Sequence, residues 1–128
     1  MNKAATVALV GIVDDDESVR NSISSLLRSS GYRTLMFESA EAFLESERIG
    51  DADGLVLDVK MPGLSGIELQ RRLREMDSSV PIVFVTAHAD DEIREVALAQ
   101  GAIAFFAKPF NDEALLGVLS SAVEARKQ

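Results

Sequence analysis

Cysteine is absent from this chain of 128 residues, and histidine occurs once, as His88. The sequence therefore holds no disulfide framework, thiol nucleophile, cysteine metal site or histidine cluster, and a chain without thiols suits a reducing compartment. Basic charge is scarce as well: 13 Lys and Arg stand against 21 Asp and Glu, for a net charge of −8. Long-range repulsion opposes approach to phosphate backbones and anionic membranes, so a cation is the better small partner and direct nucleic-acid binding is not expected. Long hydrophobic runs are missing too. The longest, Val7 to Val13, falls far short of the ~20 residues of a membrane span, and no secretory-signal layout precedes it. The expected compartment is the cytoplasm. Neither a G-x-x-x-x-G-K nor a G-x-G-x-x-G run is present, which weighs against a nucleotide- or flavin-binding module.

What is present suits one globular domain spanning 1–128: 47% hydrophobic and 27% charged residues are enough for a single core, and the length is too short for two ordinary units. Val7–Val13 (VALVGIV) reads as a strand covered on both faces of a parallel sheet. Val19, Ile23, Leu26 and Leu27 recur at helical spacing between Glu17 and Ser30, and Gly31 supplies a terminator. Tyr32–Phe37 reads as a less apolar strand nearer an edge, and Ser39 caps a short helix carrying Ala42, Phe43 and Leu44. Leu55–Leu57 is a third strand. Ser65 and Glu68 have capping-box spacing for a helix to about Met76, and Pro81 opens a fourth strand, Ile82–Val85, closed by Thr86. Asp90 or Asp91 starts a helix with Ile93, Val96, Ala97 and Leu98, which Gly101 ends. Ile103–Ala107 reads as strand five, and Asn111 caps a last helix with Leu115, Leu116, Leu119 and Val123 on one stripe. Residues 124–128 are either the end of that helix or the start of a linker. Five strands alternating with five helices predict an α/β, doubly wound parallel sheet.

In such sheets ligands bind beyond the carboxyl ends of the strands. The apolar run of strand one ends in Asp14 and Asp15, strand three in Asp58, strand four in Thr86 and strand five in Lys108. Taken singly, these residues have ordinary explanations: acids at a helix start, Thr in a strand, Lys at the surface. Together they place three carboxylates, a hydroxyl and an ammonium at one edge. Crowded carboxylates repel unless a cation sits among them, and hard oxygen donors without His or Cys indicate Mg²⁺, with Mn²⁺ as an alternative ion. Metal, Lys, Thr and a carboxylate nucleophile suit phosphoryl transfer onto Asp58, giving an aspartyl phosphate.

Four stretches carry a family likeness: IVDDDESVR at Ile12–Arg20, LVLDVKMPGLSG at Leu55–Gly66, VTAHAD at Val85–Asp90 and FFAKPF at Phe105–Phe110. The chain resembles the receiver domain of bacterial two-component response regulators, closest in wording to the FixJ-like group. The resemblance implies a flavodoxin-like sheet of strand order 2-1-3-4-5, with Asp58 as phosphoacceptor. It further implies Asp15 as direct Mg²⁺ ligand, Asp14 as an indirect one, and the backbone carbonyl of Lys60 as another. Lys108 and Thr86 match the phosphoryl-sensing pair, Phe105 the switch aromatic, and the Lys108–Pro109 peptide bond is expected cis. The implied partners are a sensor histidine kinase and, on phosphorylation, a second copy docking through the fourth helix, fifth strand and fifth helix. The implied output is transcriptional control through an effector domain or partner, with the domain catalysing its own phosphorylation as a switch.

Two positions beside the site stay open in the sequence. Ala87 either leaves Asp58 accessible or packs as a core alanine, and His88 is read as a solvated loop residue before a catalytic base. The main competing function is a Mg²⁺-dependent phosphatase of the haloacid dehalogenase type. That class usually carries a general-acid Asp two residues after its nucleophile, where this chain has Lys60.

Overall fold

The computed structural model describes residues 7–126. Five parallel strands, β1 (Leu9–Val13), β2 (Arg33–Phe37), β3 (Gly54–Leu57), β4 (Ile82–Thr86) and β5 (Ala104–Ala107), form one sheet in the order β2-β1-β3-β4-β5. The helices between and after them are α1 (Glu17–Ser29), α2 (Ala40–Glu45), α3 (Gly66–Glu75), α4 (Asp91–Ala99) and α5 (Asp112–Arg126). The three inner strands β1, β3 and β4 are buried along their whole length, whereas β2 and β5 are partly exposed. For β2 that is what its mixed composition predicts; β5, Ala-Phe-Phe-Ala, is as apolar as the inner strands and is partly exposed because it pairs on one side only, with β4.

The sheet separates two apolar layers. Val10, Ile12, Val56, Val83 and Val85 pack with Ile23 and Leu27 of α1 and Leu115 and Leu119 of α5. On the other side Leu55, Leu57 and Phe84 pack with Phe43 of α2, Leu69 and Leu73 of α3 and Ala97 of α4. Alternate residues of each strand therefore serve opposite layers, as a doubly wound sheet requires.

The helix starts follow local chemistry. Asp16 caps α1 by accepting from the amides of Ser18 and Val19, Ser39 caps α2, and Asp90 caps α4 through the Ile93 amide. Ser65 and Glu68 close a reciprocal capping box on α3, and the Asn111 side chain accepts from the Ala114 amide at 2.9 Å. Gly31 and Gly101 take the left-handed conformation at the ends of α1 and α4, with φ of +98° and +108°.

Several boundaries differ from the sequence reading. β1 starts at Leu9, because pairing with β2 begins at Leu9↔Arg33, and Val7 is exposed. Tyr32 belongs to the turn after α1, its amide donating to the Leu27 carbonyl at 3.1 Å. β5 starts at Ala104, and Ile103 lies outside the ladder with its side chain 41% exposed. A single turn of 3₁₀ helix, Ile49–Asp51, has no counterpart in the reading. α5 continues through Arg126, whose guanidinium donates to the Ala52 carbonyl at 2.7 Å, so Glu124–Arg126 are helix; 127–128 lie outside the described residues.

Candidate functional site

The abrupt end of each inner strand's apolar run sets up the site. After Val13, the chain delivers Asp14 into the protein and Asp15 into solvent: Asp14 is 2% exposed, and Asp15 lies open at the surface. Asp16 takes the capping duty for α1, which frees both preceding carboxylates from it. One oxygen of Asp14 accepts from the Asp16 amide at 2.9 Å, and the other accepts from the Lys108 ammonium at 3.0 Å. Arg20, one turn into α1, donates to the Asp14 carbonyl at 2.7 Å and fixes the backbone at that corner.

Asp58 follows β3, 6% exposed, with its amide bonded to the Val13 carbonyl at 3.0 Å. Its Oδ1 accepts from the Val59 amide at 2.7 Å, and its Oδ2 lies 3.6 Å from the Lys108 ammonium. Carboxylate oxygens of Asp14, Asp15 and Asp58 all fall within 4.8 Å of one another, so one ion can touch all three. Burial pushes the Asp14 carboxyl above its ordinary value, and the neighbouring Asp58 charge adds to that push; the Asp16 amide and the Lys108 ammonium oppose it. The three carboxylates exceed the single ammonium in charge, which leaves an anionic cup suited to a hard cation.

Thr86 ends β4 fully buried, and its hydroxyl accepts from the His88 amide at 3.0 Å. Phe105, on neighbouring β5, shares the α3 and α4 side of the sheet, with its ring centroid 5.8 Å from that of Phe84. Lys108 reaches the carboxylates from just beyond β5, and its bond to Pro109 is cis. Lys60, Ala87 and His88 are exposed, so Ala87 is no core residue. Asp14, Asp15, Asp58 and Lys108 thus share direct contacts or a common ion-sized space. Thr86 and Phe105 lie on the adjoining strands β4 and β5, and among the described residues no hydrogen bond or ion pair joins their side chains to that cluster.

A model of the response regulator receiver domain matches residues 10–120. The chain belongs to the response-regulator receiver family. Among curated relatives of this receiver, the response regulator protein TmoT of Ectopseudomonas mendocina is 42% identical over 121 residues, covering 94% of the chain and 55% of TmoT. The transcriptional regulatory protein FixJ of Bradyrhizobium diazoefficiens is 38% identical over 112 residues, covering 88% of the chain and 55% of FixJ. The receiver thus spans about half the length of the curated relatives it matches. Among solved structures, the response regulator StyR superposes with a TM-score of 0.85 at 43% identity, over 94% of this chain and 61% of that one.

Three polar side chains that hold this receiver's architecture escaped the sequence reading. Arg20 closes the IVDDDESVR stretch, where nothing in the sequence marks its bond to the Asp14 carbonyl. Glu41, in the first turn of α2, accepts from the Leu64 amide at 2.8 Å. Gln70, 1% exposed on α3, donates to the Ala97 carbonyl at 2.9 Å and accepts from Gln100 at 2.8 Å, which ties α3 to α4. Arg20 and Gln70 bind backbone carbonyls and Glu41 a backbone amide, and no residue pattern announces such a partner. The one usable signal was a polar residue at a position where its helix faces the protein.

Proposed function

We propose that this receiver accepts a phosphoryl group on Asp58 from a sensor histidine kinase and passes the signal to a transcriptional output. The carrying observation is the carboxylate of Asp58 at the end of the central strand β3, 3.6 Å from the Lys108 ammonium and within 4.8 Å of two further carboxylates. In the transfer, an Asp58 oxygen forms a bond to phosphorus while the bond from phosphorus to the donor atom breaks. The donor leaves with that electron pair, as a kinase histidine or, from acetyl phosphate, as acetate.

The donor set fits Mg²⁺: hard carboxylate oxygens in an acidic cup, with no His or Cys ligand. Asp15 and Asp58 are assigned as direct ligands, Asp14 as an indirect one, and the Lys60 backbone carbonyl as a further one; Mn²⁺ suits the same oxygens. When bound, the ion would neutralise phosphoryl charge that otherwise meets a ring of carboxylates. Lys108 already stands within 3.0 Å of Asp14 and 3.6 Å of Asp58, and its ammonium would pair with the new phosphoryl oxygens. The Thr86 hydroxyl accepts a bond from His88 and keeps its own proton for donation.

The added group brings about −1.5 to −2 charge. Drawing Thr86 toward it opens space on the side of the sheet where Phe105 stands beside Phe84. Turning of Phe105 would then repack α4 and β5, remote from Asp58. This is a shift between two existing states, limited by how differently they bind the phosphoryl group. A second phosphorylated copy is the proposed partner of that face, and the cytoplasm is the compartment that goes with it. The domain is a switch that catalyses its own modification, with Lys60 in place of an acid favouring a held phosphoryl group.

Incubation with acetyl phosphate and Mg²⁺ should add one phosphoryl group, mapped by mass spectrometry to Asp58. Chelation should prevent it. An Asp58→Asn chain that still acquires the group at that position would refute the assignment.

A further inference from the structure

The segment Val59–Leu64 carries the Lys60 carbonyl, and its two ends are held differently. At the stem, the Val59 amide donates to Asp58 Oδ1 at 2.7 Å, and the Gly66 amide donates to the Val59 carbonyl at 2.8 Å. The tip has one hydrogen bond to another element among the described residues, from the Leu64 amide to Oε2 of Glu41 on α2. Gly63, at φ +83°, lies against the same carboxylate: a Cβ there would stand 3.0 Å from Glu41 Cδ and closer still to Oε2. The Glu41 side chain therefore rests on bare backbone at the loop tip. α2 is itself fixed by its Ser39 cap and by the fully buried Ala40 and Phe43.

We propose that Glu41 is a positioning residue for phosphoryl transfer, holding the loop tip so that the Lys60 carbonyl faces the carboxylate cluster. The inference rests on the metal and phosphoacceptor reading above. It assigns a role to a carboxylate outside the metal cluster, acting through a backbone amide. A carbonyl ligand cannot be strengthened by changing a side chain, so its affinity for an ion depends on how well the backbone is held.

The test is Mg²⁺ titration of the ¹⁵N-labelled chain without phosphodonor, following the amide shifts of Asp15, Lys60 and Met61, together with hydrogen exchange at Leu64. Glu41→Ala should weaken Mg²⁺ binding roughly tenfold and speed Leu64 exchange. Glu41→Gln, whose amide oxygen can accept the same bond, should restore most of the affinity. Gly63→Ala, which displaces the carboxylate from the opposite side, should reproduce the loss. With acetyl phosphate, Glu41→Ala should raise the Mg²⁺ concentration for half-maximal labelling far more than it lowers the rate at saturating Mg²⁺. Glu41 is half-buried on a first helical turn, and circular dichroism verifies that each variant folds. Unchanged Mg²⁺ affinity in Glu41→Ala overturns the proposal. So does Glu41→Gln binding as weakly as Glu41→Ala, because the effect would then come from charge alone. A parent chain that neither binds Mg²⁺ nor labels Asp58 overturns the underlying reading; a parent chain that does both, beside an indifferent Glu41→Ala, overturns this inference alone.

Discussion

At the scale of single residues, the site depends on atoms that are absent as well as present. Gly66 opens α3 directly behind Asp58, and a Cβ there would overlap the Asp58 carbonyl oxygen and stand 3.0 Å from the Phe84 ring. The nearest obstacle is backbone, which cannot rotate aside. Gly66→Ala is therefore expected to destabilise the fold by about 1–3 kcal/mol, as overpacking does, and to impair Asp58 labelling as the strand end shifts. Gly117, in the interior of α5, is the opposite case: a Cβ added there would meet nothing within 4 Å. Gly117→Ala should stabilise by about 0.5–1 kcal/mol through helix propensity and reduced freedom of the unfolded chain. Urea denaturation of both variants checks the signs; a neutral Gly66→Ala would show that the approach behind Asp58 is looser than described.

At the scale of elements, what the sequence made legible was whatever had a periodic or positional signature. Asp14, Asp58, Thr86 and Lys108 stood out because each interrupts an apolar run at a strand end, and the structure places each at the carboxyl end of a strand or just beyond it. The caps of α2, α3, α4 and α5 were legible because Ser, Asp and Asn at those positions have a local partner a few residues on, whereas Asp16, the cap of α1, was hidden in a run of three aspartates. The end of α2 was not legible, since Glu47 takes φ of +61° without a glycine to mark it; α3 ends at Glu75, next to the Met76 read from the sequence, although Asp77 takes the same φ. The stripe on α4 misled in part: of Ile93, Val96, Ala97 and Leu98, only Ala97 is fully buried, and Val96 is 44% exposed. Helical periodicity identifies an apolar face and does not reveal whether the domain itself covers it. The α3 capping box allows a pH test. The Ser65 amide bond holds the Glu68 carboxyl below its ordinary value of 4.5, with smaller help from the Ser65 hydroxyl and from Arg71 and Arg72. A depressed folded-state value means that the contribution is complete above the unfolded value and lost as pH falls through the folded one. The difference in melting temperature between the parent chain and Glu68→Ala should therefore be largest near neutrality and shrink below about pH 4. A difference that persists unchanged into that acid range would rule out the carboxylate bond as its source.

At the scale of the whole molecule, an apolar surface lies on the side remote from Asp58. Val96 of α4 and Ile103 before β5 are 44% and 41% exposed, and Ile103 and Phe106 line a shallow groove of about 670 Å³ against Gly117 and Val118 of α5. A stable interface buries about 1,200–2,000 Å² in total, so a second copy docking here would have to cover more than these side chains. Opposing that contact is the net charge of −8 on each copy, which makes close approach of two identical domains costly at low ionic strength. Repacking of α4 and β5 after phosphorylation would supply the extra complementarity, and salt would screen the repulsion. The unphosphorylated receiver is thus expected to sediment as a monomer, and the phosphorylated one to shift toward twice the mass with increasing concentration, more readily at higher salt. Ile103→Glu, a change at an exposed position outside the ladder, should hold the phosphorylated protein monomeric while leaving Asp58 labelling intact. Phosphorylated protein that remains monomeric at every concentration and salt would remove the second copy as the partner of this face.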